Sequence, residues 1–245
     1  MSDPFAANVY EVRRRVLLLT VAGGEPGSQP MRAARAQELE GMTAPLVDLI
    51  RLTSTAMSHA TAALFSSDSP AAESISAAYE AVSALRHELE DHAAVFLALR
   101  AQSRVPKLPA TLAAVHINAE AERMGQLARE VADIARTRRA WASIPAALLG
   151  VLRELSEVCL DTAVKAADVV ESHTTIGVAE LARCDDNVDR LRHRLYQQLL
   201  SNSSVIDVDA AIDLTLAARC YERFAEHAKA VVHRGALLAV GAPRG

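Results

Sequence analysis

The sequence has few residues that break helices and few that stack on nucleic-acid bases. Aromatic residues make up 4% of its 245 residues, and it contains 10 Gly and 9 Pro. Beyond Pro109 the only prolines are Pro145 and Pro243, so little in the second half would interrupt a helix. A net charge of -4, with no basic residues interleaved with aromatics, argues against nucleic acid as a partner.

Cysteines and long apolar runs are scarce as well. The cysteines Cys159, Cys184 and Cys220 are widely spaced, which favours reduced core thiols over disulfides or a zinc site and predicts a cytoplasmic protein. No apolar run reaches the roughly 18 residues that a membrane span needs. The longest candidate, Val16 to Ala22, follows three arginines at 13–15 and looks somewhat like a signal peptide. We expect it to be retained, because no clear small-residue cleavage site follows it.

Apolar residues instead recur at helical spacing. Hydrophobic residues make up 51% of the chain, which together with the scarcity of aromatics is typical of a helical bundle. Turn signals divide the chain from Met31 onward into six helical stretches. These signals lie at 66–70, 103–109, 143–145, 172–177 and 201–204. Six long helices are therefore predicted.

The two halves of the chain match each other. Leu-Arg-His-Glu-Leu at 85–89 reappears as Leu-Arg-His-Arg-Leu at 191–195, which pairs the second predicted helix with the fifth. Glu-Arg-Met at 122–124 lines up with Glu-Arg-Phe at 222–224, which pairs the third with the sixth. We therefore predict an all-α fold, a tandem repeat of two three-helix bundles.

The repeat also sets the predicted domain organisation. Residues 31–141 form the first three-helix repeat and residues 142–245 the second, and each repeat is expected to close its own core. Residues 1–30 are interpreted as a flexible N-terminal extension, because they end in a run rich in Gly and Pro.

The sixth predicted helix has an apolar seam that indicates its packing side. The seam steps by four and three residues through Ala217, Tyr221, Phe224, Ala228, Val231, Gly235 and Leu238. Glu222 and Glu226 are expected to lie off this seam.

Acidic residues in the third and sixth predicted helices are the main candidates for chemistry. Glu120 and Glu122 lie in the third helix, and Glu222 and Glu226 lie in the sixth beside His227. Because Glu222 and Glu226 are i, i+4, their carboxylates share a helix face and repel unless water or a cation intervenes. A metal site and a solvated acidic face both fit this pattern. Ferritin-type di-iron chemistry is disfavoured, because the chain has no Glu-x-x-His pair.

The doubled unit resembles the PhoU family of phosphate-signalling regulators over about residues 31 to 241. Each third helix of that family carries a motif like Asp-Leu-Glu-Arg-Ile-Gly-Asp. Its equivalents are Glu-Ala-Glu-Arg-Met-Gly-Gln at 120–126 and, in part, Glu-Arg-Phe-Ala-Glu-His at 222–227. Gln126 stands where the family has Asp, which removes a charged ligand, and Glu226 replaces the second Asp with a longer arm.

The resemblance implies a function. It implies a cytoplasmic, dimeric adaptor that catalyses nothing and restrains the phosphate-starvation response when phosphate is plentiful. The implied partners are the ATPase subunit of the phosphate ABC transporter and a sensor histidine kinase. A divalent or iron-type metal ion held by Glu120, Glu122, Glu222 and Glu226 is implied as the one cofactor. Two alternatives stay open: a metal-binding helical-bundle protein, and a divergent accessory protein of another phosphate permease.

Overall fold

The computed structural model describes residues 31–65, 108–137, 141, 144–172 and 178–240. Within these ranges the chain forms helices α1 (Met31–Phe65), α2 (Leu108–Thr137), α3 (Ala146–Ser172), α4 (Val178–Ser201) and α5 (Val208–Val240). The all-α prediction is confirmed, since the described residues include no strand. The predicted second helix and the extension 1–30 lie outside the described residues. In the described part of the chain, no helix is both long enough and apolar enough to cross a membrane.

Helix bounds follow the predicted turn signals. α3 begins at Ala146, directly after Pro145, whose carbonyl accepts a hydrogen bond from the Leu148 amide at 2.9 Å. Proline suits this place because its missing amide hydrogen would have no helical partner there. α5 begins after Asp207, whose Oδ1 accepts a hydrogen bond from the Asp209 amide at 2.9 Å. That bond satisfies an amide left open at the helix start.

Contacts between side chains set the directions of α1 and α3. Arg51 Nη2 lies 2.7 Å from Glu171 Oε2, near the C-terminal end of α3. The Arg153 guanidinium, near the N-terminal end of α3, lies 4.3 Å from the centre of the Phe65 ring. Later residues of α1 therefore meet earlier residues of α3, and the two helices are antiparallel.

α5 runs parallel to α3 and antiparallel to α2. The Glu222 carboxylate lies close enough to the Cys159 thiol to raise its pKa, and Gly235 packs on Val170. Residue numbers therefore rise in the same direction along α5 and α3, and the two helices are parallel. A Cβ atom added to Gly235 would lie 3.1 Å from Val170 Cγ2, which shows how closely these two helices approach. The ordering against α2 is reversed, because His227 meets Glu120 whereas the earlier Cys220 meets Glu130.

The two halves share one core. α2 packs most extensively on α5, and the pairs α1–α2, α1–α3 and α3–α5 complete a ring of four helices, with α4 against α3 and α5. A single cluster of buried residues runs through α1, α2, α3, α4 and α5. The expectation that each repeat closes its own core stays a prediction, because the second predicted helix of the first repeat lies outside the described residues. The boundaries 31–141 and 142–245 stay a prediction.

Small side chains explain the shared core. Buried alanines recur along both central helices, at Ala113, Ala121 and Ala128 of α2 and at Ala217 and Ala228 of α5. Helices approach closely where their side chains are small, so α2 and α5 can pack on each other across the repeat boundary. Hydrophobic periodicity predicts which side of a helix is buried, but it does not name the neighbouring helix.

The predicted seam of α5 is buried, with one correction beside it. Ala217, Tyr221, Phe224, Ala228 and Val231 are each 0% exposed, and Gly235 is buried. The side chain of Leu238 lies outside the described residues. Glu226 is exposed, as expected for a position off the seam. Glu222 is only 6% exposed, so its predicted place off the packed surface is wrong.

The core thiols and one buried phenol are chemically quiet. All three cysteines are free and buried, as the spacing predicts. Burial, reinforced by the Glu130 carboxylate, raises the pKa of Cys220 to about 12, and burial also raises the pKa of Cys159. Cys159 and Cys220 therefore stay protonated and unreactive near neutral pH. The Tyr221 hydroxyl shares a hydrogen bond of 2.9 Å with Thr61 Oγ1, which joins α5 to α1.

We predict that Phe224→Ala lowers the free energy of unfolding by on the order of 3 kcal/mol, because it removes a fully buried aromatic ring from the shared core. Urea denaturation followed by circular dichroism measures this loss. Val164→Ala is the matched control on α3, since Val164 is 51% exposed and should change stability little. Equal losses in the two variants would contradict this packing.

Candidate functional site

The two motif copies lie opposite each other in the bundle, because α2 and α5 are antiparallel neighbours. Their burial agrees at most corresponding positions, although Glu122 is half-buried where Glu222 is buried. The first position is buried, the arginine is exposed and the last position is exposed, as seen in Glu120 and Cys220, Arg123 and Arg223, and Gln126 and Glu226. The repeat found in the sequence is therefore also a repeat of environments.

Glu222 is a buried carboxylate held by two arginines. Arg192 Nη1 of α4 donates a hydrogen bond to Glu222 Oε1, and Arg219 Nη1 donates one to Glu222 Oε2 at 2.7 Å. The side chain of Glu222 is 7% exposed, whereas those of Arg192 and Arg219 are 32% and 54% exposed. A buried carboxylate needs such compensation because desolvation is costly. Its two guanidinium partners explain why Glu222 packs inward.

Glu120 is the second buried carboxylate. Its Oε2 atom forms a hydrogen bond of 2.7 Å with His227 Nδ1, across the interface between α2 and α5. Arg234 lies 3.6 Å from Oε1 and Arg123 lies 3.8 Å from Oε2. Glu120 is 7% exposed, so this polar group is enclosed by the two helices. The contact fixes the register of α2 against α5.

The four predicted site residues have different environments. Glu120 and Glu222 are buried and paired with basic groups, Glu122 is half-buried, and Glu226 is exposed. His116, which the sequence leaves outside the candidate set, is exposed on α2. The structure therefore does not gather the predicted acids into a common carboxylate cluster.

The described residues do not fit a multi-ligand metal ion. Among them, no group of three or more His, Cys, Asp or Glu side chains is arranged to hold one. Both oxygens of Glu222 already accept hydrogen bonds from guanidinium groups, so a metal would have to displace an arginine. Gln126 supplies no charge at the motif position where a carboxylate would be expected. Metal binding by the predicted carboxylates stays a prediction.

Sequence reasoning missed the basic partners of the buried acids. Arg192 belongs to the repeated Leu-Arg-His pattern, which predicts no contact for it, although it reaches Glu222 from another helix. Arg219 is three residues before Glu222, which is a spacing that places side chains together on a helix. That spacing was a usable signal, whereas the contact from Arg192 depends on tertiary packing.

Comparison with known proteins identifies the family. The PhoU domain model matches residues 46–135 and 152–234, once in each half. The Mycobacterium tuberculosis protein called phosphate-specific transport system accessory protein PhoU homolog 2 is 35% identical over 212 residues, covering 86% of this chain and 99% of that protein. PhoU homolog 1 of Mycobacterium leprae is 33% identical over 211 residues, covering 86% of this chain and 95% of that protein.

Solved structures support the same fold. The phosphate transport system regulatory protein PhoU of Streptococcus pneumoniae matches with a TM-score of 0.75 at 19% identity, covering 84% of this chain and 97% of that chain. PhoU of Pseudomonas aeruginosa matches with a TM-score of 0.66 at 16% identity, covering 97% and 99%. The chain belongs to the PhoU family. It is accordingly a regulatory protein and not an enzyme.

We predict that Arg192→Leu lowers the free energy of unfolding by about 2 kcal/mol, because buried Glu222 then keeps only one guanidinium partner. Arg194→Leu is the matched control. Arg194 lies 3.3 Å from Glu154, and with side chains 48% and 52% exposed this pair should contribute about 0–1 kcal/mol. Chemical denaturation of both variants tests the difference, and an equally small loss in each would show that Glu222 does not depend on Arg192.

We predict that chelation leaves the melting temperature unchanged, because arginines already neutralise Glu222. Elemental analysis of purified protein, with thermal melts before and after EDTA, measures this. Glu222→Gln with Glu226→Gln tests the predicted metal ligands directly. A stoichiometric metal that this double variant loses, together with destabilisation by EDTA, would establish the metal site and contradict the charge-compensated arrangement.

Proposed function

We propose that this chain is a negative regulator of the phosphate-starvation response. In this proposal it acts in the cytoplasm as a dimeric adaptor between the ATPase subunit of a phosphate ABC transporter and a sensor histidine kinase. The observation that carries the proposal is the similarity along nearly the whole length of a phosphate-specific transport accessory protein, 99% of which is covered at 35% identity. A general regulatory role in phosphate transport follows from the same observation.

The geometry of the motif supports recognition of a partner. Arg123 and Arg223 occupy equivalent exposed positions on α2 and α5, which are adjacent antiparallel helices. The neighbouring motif positions Met124 and Phe224 are 0% exposed and anchor both helices in the core. Two guanidinium groups are thus presented from a packed scaffold, which suits an acidic surface on a partner protein.

The proposed mechanism is a shift between states of the kinase. An adaptor that binds the inactive or phosphatase state more tightly moves the kinase toward that state without any chemistry of its own. Because such coupling is reciprocal, the state of the kinase also alters its affinity for the adaptor. The rigid bundle supplies the contact surface, and the transporter ATPase supplies the second contact.

Deletion of the gene should raise the output of a phosphate-starvation reporter, such as alkaline phosphatase, in medium with abundant phosphate. The wild-type gene should return that output to the parental level, because the adaptor again holds the kinase in its inactive state. The measurement is reporter activity in the parent, the deletion strain and the complemented strain. Output that stays low after deletion, in a strain with no second copy of the gene, would contradict the proposal.

We predict that Arg123→Ala combined with Arg223→Ala leaves reporter output near the deletion level, because both equivalent guanidinium groups are lost from the exposed motif positions. The matched control combines Arg136→Ala with Arg190→Ala, which removes two exposed arginines outside the motif and should preserve repression. Immunoblots and thermal melts check that both proteins accumulate and fold. Full repression by the motif variant would show that these arginines are not the contact.

A further inference from the structure

An apolar groove lies beside the turn between α4 and α5. Its lining includes Leu199, Val208, Ile212 and Leu216. Val208, Ile212 and Leu216 follow one another at intervals of four residues, and they are 73%, 51% and 50% exposed. Such spacing places them in a stripe on one side of α5. A contiguous exposed apolar stripe indicates a surface that another segment covers, whereas single exposed residues do not.

The charges beside this groove are acidic. Residues 207–218, which carry the stripe, contain three aspartates, and the next basic residue, Arg219, is paired with Glu222. Asp209 is exposed at the start of α5, and Asp213 is half-buried and accepts a hydrogen bond from Trp141 Nε1 at 3.4 Å. A segment that pairs apolar residues with positive charge would complement both the groove and its rim.

The chain itself contains a segment with this chemistry. Residues 13–22 read Arg-Arg-Arg-Val-Leu-Leu-Leu-Thr-Val-Ala, and the sequence has no other run of three consecutive basic residues. The three arginines are opposite in charge to the aspartates at 207–213, which form the acidic rim of the groove. The residues that follow the arginines are mostly apolar, like the groove itself. This segment belongs to the extension that precedes α1, outside the described residues.

The length of α1 separates this segment from the groove of its own chain. Thr61 of α1 is level with Tyr221 of α5, because their hydroxyls are 2.9 Å apart. From Met31 to Thr61 the helix rises about 45 Å, at about 1.5 Å per residue. α1 is antiparallel to α3, and α5 is parallel to α3, so α1 is also antiparallel to α5. Along the direction from Met31 to Thr61, Ile212 therefore lies about 13 Å further on than Tyr221. The start of α1 and the groove are therefore about 58 Å apart.

The connecting chain is too short for that distance. Eight residues, 23–30, lie between Ala22 and Met31, and this connection spans about 30 Å when fully extended. α1 contains Pro45, and a bend of about 25° there would shorten the separation by only a few Å. The apolar part of the segment therefore does not reach the groove of its own chain, whereas the segment of a second copy is free of this constraint.

We propose that the groove receives residues Arg13–Ala22 of a second copy of this chain, in a reciprocal dimer. Exchange in both directions satisfies twofold symmetry, since each protomer gives one segment and provides one groove. Apolar contacts with Val208, Ile212 and Leu216 hold the segment, and its arginines face the aspartates at 207–213. This inference does not depend on the proposed role in phosphate signalling.

Disulfide trapping between two full-length chains, each with a different introduced cysteine, tests whether residues 13–22 of one chain occupy the groove of the other. One chain carries Leu18→Cys and the other carries Leu216→Cys, and the native cysteines are buried and do not compete. Mixing under mild oxidation should give a cross-linked heterodimer. The matched control replaces Leu216→Cys with Val164→Cys, an exposed position on α3 outside the groove, and should give little product. Equal cross-linking to both positions, or none to Leu216→Cys, would overturn the proposal.

A single chain carrying both Leu18→Cys and Leu216→Cys separates the two possible sources of the segment. Predominantly intermolecular disulfides support the second copy. Predominantly intramolecular disulfides at low protein concentration would overturn it, because the segment would then come from its own chain.

The strength of the dimer gives an independent measurement. Sedimentation equilibrium of the full chain should show that Leu216→Asp weakens dimerisation about tenfold or more, because it places a charge in the apolar contact. Replacing the arginines at 13–15 with Glu should weaken it similarly through repulsion from the acidic rim. Val164→Asp is the control that should leave it unchanged. A monomeric wild-type chain, or a dimer that neither Leu216→Asp nor the arginine replacements weaken, would overturn the proposal.

Discussion

The antiparallel packing of α2 against α5 is the interaction on which the rest of the structure depends. It joins the two sequence repeats, so that residues from both halves contribute to one core. It also places the two motif copies opposite each other and encloses Glu120 with His227. The packing of these two helices thus sets the position of the polar residues that lie between them.

Charge compensation is the second constraint. A carboxylate packed between helices is stable only when other groups replace the water that it loses. Here Glu222 takes arginines from two helices, and Glu120 takes a histidine together with more distant arginines. The arginines at 123 and 223 stay exposed on the same two helices. The motif therefore divides into inward residues that join helices and outward residues available to a partner.

The sequence predicts the local features of this fold well, and it predicts the contacts between distant residues poorly. Pro145 and the seam through Phe224 predicted a helix start and a buried face correctly, because both depend on neighbouring residues. The burial of Glu222 was missed because it depends on Arg192, 30 residues away and on another helix. The shared core was missed because periodicity identifies a buried face without its neighbour. The candidate carboxylates lie on two corresponding helices, and among the described residues no three possible ligands come together, so metal binding stays a prediction.

The shared core has a consequence for synthesis on the ribosome. α1 and α2 emerge first, but the faces that they bury against α3 and α5 have no partner until the second half follows. Since α5 is the fourth member of the ring, the ring closes only after α5 has left the ribosome. The first repeat must therefore wait as a nascent chain with exposed apolar surface, which is the state that molecular chaperones recognise. Duplication has thus produced a protein whose halves resemble each other and yet mature together.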